Sequence, residues 1–470
     1  MTFHRSLLTC ALALTLVGAL AGVASAAARQ AGENLPDGLT SITADATTTS
    51  TSTSTTTPRA TVTIKTVAVG SPNNPSIGIV PFTDAVYPNC AAAPAPSSGT
   101  PACVTVGGVS YSYGIGMLEI TVGQWVAFLN TADPLGKDRG RLYSSSESST
   151  AWPMYGSINR TASAKAGQHY TVAYPEWTNK PFGTINFTRA AEFANSLQNG
   201  HVLKQSTSTV TTVSGTPLLV TSYTVRLSPK ITSGMYNIQK NPGATRALAS
   251  GFVVPSQNEW IKAAYYDRTG GGQNSYWKYP TNPGVFGNCP TLATTGCNDT
   301  PPAPAVLNPT TGNVTNAGTQ PQATYLATTP ANCKSGSTGC TTLAAPWWCP
   351  GQVPTADCTT NPLGLSATEY PTKFQANLST VGQNLTRSPW GTLDQGGNVV
   401  EMTDTITTPP GGKQGKRVWR REHGGVTNAN GYQMWPSAIG KTPGDVVAAA
   451  KAYPWIGMRI GVIGTIGTGK

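Results

Sequence analysis

From Thr61 the chain reads TVTIKTVAV, with β-branched residues alternating with polar ones as in a half-buried strand. The same alternation returns in VSYSYGIGMLEIT, residues 109–121, so the two segments are expected to pair in a sheet. The period then lengthens. In TVGQWVAFLN the apolar positions Val122, Trp125, Val126 and Leu129 fall on one helical face, with Thr121 as N-cap and Gln124 as its capping-box partner. A second helix is predicted after Thr188 in FTRAAEFANSLQNG, burying Ala190, Phe193, Ala194 and Leu197 and stopping at Asn199-Gly200. Ser256 opens a third, with Glu259 closing the capping box and Trp260, Ala263 and Ala264 on the apolar stripe. Near the C-terminus RVWRREHGGV and WIGMRIGVI are patterned like strands. Short strands, few helices and heavy loop content predict one α+β domain.

Three stretches lie outside this pattern. Residues 1–26 begin with His4 and Arg5, continue as the apolar run LLTCALALTLVGALAGV and end in Ala24-Ser25-Ala26, the form of a secretory signal peptide cleaved after Ala26. Residues 27–60 contain TTTSTSTSTTT, too poor in apolar surface to offset ordering entropy, and read as a disordered tether. The domain proper is expected over 61–470, interrupted at about 284–372 by a Pro-, Thr- and Cys-rich insertion. No later run is long and apolar enough to span a bilayer, so a secreted, periplasmic or cell-surface location without a transmembrane segment is expected.

Cysteine usage fits export. Loss of Cys10 with the leader leaves Cys90, Cys103, Cys289, Cys297, Cys333, Cys340, Cys349 and Cys358, an even set read as four short-range disulfides in sequence order. Their spacing lacks the paired C-x2-C pattern of a zinc site. The formal charge of +11 falls to +10 without Arg5 and is dispersed, apart from Lys413, Lys416, Arg417, Arg420 and Arg421 around Trp419. That cluster suits an anionic envelope polymer; no nucleic-acid motif accompanies it and nucleic acid is not expected as a partner.

Five segments in order resemble the formylglycine-generating-enzyme, or sulfatase-modifying-factor, family: YGIGMLEITVGQWVAFLN, NKPFGTINFTRAAEFANSLQNG, VVPSQNEWIKAAYYD, SPWGTLDQGGNVVEMTD and GMRIGV. The resemblance implies the family's C-type-lectin-like α+β fold, loop-rich with short antiparallel strands. It does not carry over the family's copper chemistry, which needs two thiolates in the C-terminal core. The last cysteine here is Cys358, and HGGVTNANGYQMWPSAIG has none. Iron-dependent sulfoxide synthesis needs clustered histidines, whereas His169, His201 and His423 are far apart in sequence. Copper and iron are therefore not expected, and no catalytic residue is assigned.

In DQGGNVVE the resemblance places a structural Ca²⁺ on the Asp394 and Glu401 side chains and the Gly397 and Val399 carbonyls, hard oxygen ligands around a glycine-rich turn. Two functions remain. One is a calcium-stabilised, non-catalytic ligand-binding or cell-surface protein, presenting Arg421, His423, Asn428, Asn430, Tyr432 and Trp435 to a glycan, a protein or an anionic envelope polymer. The alternative is a divergent metal-dependent oxidoreductase of the same family.

Overall fold

The alternation in TVTIKTVAV becomes strand β1 (Thr61–Val69), whose Val62, Ile64, Val67 and Val69 are buried. This description comes from a computed structural model that places residues between Arg59 and Ile466, the longest stretches outside it being 1–58, 144–157, 282–302, 324–377, 408–418 and 424–445. The signal peptide and the tether lie outside the described residues, as does most of the insertion.

β1 sits inside a six-stranded antiparallel sheet with β5 (Tyr113–Gly116), β8 (His201–Thr211), β9 (Pro217–Arg226), β10 (Gly251–Val253) and β17 (Gly461–Ile463), in the order β10-β17-β5-β1-β9-β8. The expected pairing of the first two alternating segments is present, with Thr66 opposite Gly116 and Val69 opposite Tyr113. A second sheet has the order β15-β14-β13-β16, built from β13 (Val400–Thr407), β14 (Trp419–His423), β15 (Val446–Ala448) and β16 (Ile456–Gly457). A third joins β2 (Ile77–Ile79), β3 (Val86–Tyr87) and β4 (Val104–Val106), beside the Cys90–Cys103 disulfide. Two small pairs complete the strands: β6 (Ile158–Arg160) with β7 (Tyr170–Val172), and β11 (Ala303–Pro304) with β12 (Gln322–Ala323).

The described residues contain three α-helices, which together with these sheets make the α+β class expected from the pattern. Helix α1 (Val122–Ala132) carries the full Thr121/Gln124 capping box and runs two residues past Asn130. Helix α2 (Phe187–Gln198) starts two residues earlier than predicted. Asn186, not Thr188, is the N-cap, its side chain accepting the Arg189 N–H, so Thr188 lies inside the first turn. Helix α3 (Gln257–Tyr265) has the Ser256/Glu259 box.

Trp125 of α1 stacks on Phe182 at 4.6 Å between ring centres and packs on Phe128 and on Phe193 of α2. This aromatic group belongs to the main core beneath the large sheet. The apolar stripe of α3 turns the other way, so that Trp260, Ile261, Ala264 and Tyr265 pack with Ile77, Ile79, Val106 and Tyr276 in a second core. Where α2 gives way to β8, a Cβ on Gly200 would lie 2.4 Å from the Arg226 carbonyl, so this close crossing admits glycine alone. None of the described helices is long and apolar enough to cross a membrane.

Candidate functional site

The segment from Asp394 to Glu401 bends through three left-handed residues, Asp394 (φ 53°), Gly397 (φ 87°) and Asn398 (φ 61°). Asparagine and aspartate tolerate that region because their short polar side chains bond locally. The bend delivers Glu401 to the start of β13, which pairs in parallel with β16, and Arg459 follows in the short connection to β17. Arg459 is fully buried and grips Glu401 with two bonds, Nε to Oε2 at 2.6 Å and Nη2 to Oε1 at 2.5 Å. Its remaining reach goes to backbone carbonyls, Nη1 donating to Gly116 at 2.7 Å and Nη2 to Leu393 at 3.2 Å. Trp260 of α3 donates its indole N–H to Glu401 Oε2 at 2.8 Å. One arginine thus links β5, the bend, β13 and the last strand connection.

Two more buried acids share the neighbourhood. Asp394 accepts from the Gly382 N–H at 2.5 Å and from Asn384 Nδ2 at 2.6 Å. Glu119, from the turn between β5 and α1, accepts from Asn398 Nδ2 at 2.8 Å and from the Val399 N–H at 3.3 Å. Burial above all, then the charges of Asp394 and Glu401, push the Glu119 carboxyl well above the usual carboxylate range, against the pull of Arg459. Burial likewise raises Asp394, although the Gly382 and Asn384 bonds oppose the shift. The acids outnumber the arginine, so protonation relieves a charge surplus that a dry interior penalises.

The expected calcium set, the Asp394 and Glu401 side chains with the Gly397 and Val399 carbonyls, lies within this arrangement. Hard oxygens and surplus negative charge suit the ion. Of that set, both Glu401 oxygens also accept from Arg459, and Oε2 from Trp260 as well; among the described residues no group of three or more His, Cys, Asp or Glu is placed to hold one ion.

The expected ligand face is only partly described. Arg421 and His423 fall on β14, where His423 is in register with Glu401 and Arg421 with Val446. Asn428, Asn430, Tyr432 and Trp435 lie outside the described residues. Of the cysteines, Cys90 and Cys103 form the first of the sequence-order pairs, with Cα atoms 5.4 Å apart. Cys289, Cys297, Cys333, Cys340, Cys349 and Cys358 are outside the described residues. The histidines occupy unrelated places: His169 sits against Gly136 with Nδ1 2.9 Å from the Thr161 carbonyl oxygen, and His201 is exposed at the start of β8.

Sequence reasoning passed over Glu119, Arg459 and Trp260 as members of the site, although each stands in a segment it singled out. The available signal was a lone charge inside an apolar stretch, as in GMRIGV, because a buried charge demands a partner.

No protein-family model matches the chain, and no curated protein matches it. Among solved structures, the chain is similar to the crystal structure of CarF at 13% identity and a TM-score of 0.32, covering 87% of this chain and 100% of that one. It is also similar to PvdO from Pseudomonas aeruginosa at 12% identity and a TM-score of 0.33, covering 86% and 94% of the two chains. Likeness at these scores has no bearing on activity, and the reading of the site rests on its own geometry.

Proposed function

We propose that the chain is an exported, non-catalytic ligand-binding or cell-surface protein, with a formylglycine-generating-type C-type-lectin-like domain as its scaffold. The observation carrying this reading is the use of the most conspicuous acidic motif for internal pairing. Glu401 is paired with Arg459 and Trp260 in the dry interior, so the motif ties strands together instead of facing a substrate. Export is supported by the leader-like first 26 residues, and an oxidising compartment by the Cys90–Cys103 bond.

Calcium belongs to the same proposal, on the Asp394 and Glu401 side chains with the Gly397 and Val399 carbonyls, and the support for it is the surplus of buried acid over arginine. No part of the ligand-binding reading runs through the ion.

The test pairs two measurements on purified protein. Binding to a panel of polysaccharides and envelope fractions is expected to show a saturable ligand. Aerobic oxidation of a cysteine peptide after loading with copper or iron is expected to stay at the level of protein-free metal. Turnover that tracks protein-bound metal, with no ligand bound, would overturn the reading.

A further inference from the structure

We propose that the outer face of the β1–β9–β8 end of the large sheet binds an acidic polysaccharide whose charges are carboxylates. The proposal deepens the ligand-binding reading and rests on it.

The register defines the surface. Residues directly opposite one another on paired strands point to the same side, and the side alternates along each strand. Val62, Val225 and Val202 are opposite one another and point into the core, as do Ile64 and Tyr223. The intervening rows therefore point outward: Thr61, Arg226 and His201; then Thr63, Thr224 and Lys204; then Lys65, Ser222 and Ser206. All nine side chains are exposed or half-exposed. The irregularity between Val202 and Lys204 inserts Leu203 and returns Lys204 to the outer row.

The composition of these rows is one-sided. Five hydroxyl residues surround Lys65, Lys204, Arg226 and His201 and no acid interrupts them, while Leu203, 43% exposed, lies beside Lys204 at the irregularity. The segments 59–69 and 201–232 contain no Asp or Glu at all, whereas they include Arg59, Lys65, Lys204, Arg226 and Lys230. A cationic face of this kind is complementary to an anionic ligand. Strand geometry separates Lys204 from Arg226 by roughly 8 Å and from Lys65 by roughly 12 Å at the backbone, so the charges are staggered across three strands. A single small anion cannot meet all three; a chain molecule crossing the strands can.

The hydroxyls choose the kind of chain. Thr63 Oγ1 and Thr224 Oγ1 lie 3.4 Å apart on adjacent strands, side by side between the cations. Such rows donate to and accept from sugar hydroxyls, while a guanidinium receives a carboxylate in two-point fashion. A single-stranded nucleic acid would call for aromatic platforms, and these rows have none. Lys204, Arg226 and Ser206 are exposed, so substitution there does not disturb the core.

The test measures binding of the full purified chain to polygalacturonate at about 20 mM salt, where surface charge is weakly screened. Wild-type protein is expected to bind polygalacturonate but not neutral dextran, and to lose affinity as salt rises. The double variant Lys204→Ser/Arg226→Ser is expected to bind about tenfold more weakly, and Lys204→Glu/Arg226→Glu not measurably, with melting temperatures within about 2 °C of wild type. The variant Lys416→Ser/Arg417→Ser, in the basic cluster before β14, is expected to bind as wild type does. Equal binding by wild type and Lys204→Glu/Arg226→Glu overturns the surface while leaving the ligand-binding reading intact. Equal binding to dextran, or equal binding to duplex DNA, overturns the choice of an acidic polysaccharide. Absence of binding to polygalacturonate overturns the proposal, and absence of any ligand across the wider panel overturns the reading beneath it.

Discussion

Arg459 ties β5, the Asp394–Glu401 bend and β13 to the last strand connection, and its role follows from desolvation. A guanidinium with no exposed surface is tolerated only because Glu401 and two carbonyls surround it. Arg459→Met leaves Glu401 beside two other buried acids with no cation. It is expected to cost about 3–5 kcal/mol in urea unfolding, whereas Arg459→Met/Glu401→Leu recovers part of that loss. A second residue gives a pH dependence. Burial lifts Glu192 to about 8, with Arg189 opposing the shift. Because the folded state then holds a proton that the unfolded state releases near its ordinary pKa, stability from this group is fully present below that value. It falls as pH rises towards 8, with a slope of up to ~1.4 kcal/mol per pH unit. Glu192→Gln is expected to flatten that decline in unfolding experiments between about pH 5 and pH 8, the window between the two pKa values.

At the scale of elements, the helices were legible because their signals are local. Thr121 with Gln124 and Ser256 with Glu259 occupy the cap geometry that their spacing announces. Thr121→Ala is expected to cost about 1 kcal/mol by thermal unfolding, the usual consequence of losing a side-chain cap. Glu259 shows how a cap acquires a second duty: it accepts from Ser256 N–H, from Tyr111 and from both Arg246 Nη groups, and nothing in S-x-x-E foretells the arginine. The shift of α2 to an Asn186 cap has a similar lesson, since Asn186 and Thr188 are both competent caps and burial of Phe187 decides between them. The β8–β9 hairpin went unread. Its signal was present in the Thr- and Val-rich runs either side of SGTP, but β8 is exposed on both faces over most of its length and shows no alternation. For the Cys90–Cys103 staple, Cys90→Ser/Cys103→Ser is expected to destabilise by about 3 kcal/mol, judged by the chemical-denaturation midpoint, because the unfolded chain regains the freedom of a loop closed at a sequence separation of 13.

Across the whole molecule, the buried acids pose a charge problem with two physical solutions, protonation or a bound cation. If calcium supplies the second, metal analysis of purified protein will find about one ion per chain and EGTA will lower the melting temperature by several degrees, as expected for loss of a bound ligand. An unchanged melting temperature and no calcium would retire the Asp394, Gly397, Val399 and Glu401 set. The sequence by itself determined the α+β class, the three helices with the caps of α1 and α3, the β1–β5 pairing and the first disulfide, since each depends on periodicity or on neighbours close in the chain. Only the tertiary structure decided that Glu401 belongs to Arg459, that Glu119 joins them across 279 residues to Asn398, and that the hydroxyls and cations of β1, β9 and β8 share one face. The physical reason is that a charge or a hydroxyl carries no mark of its partner in the local pattern: register and burial choose it once distant strands are side by side.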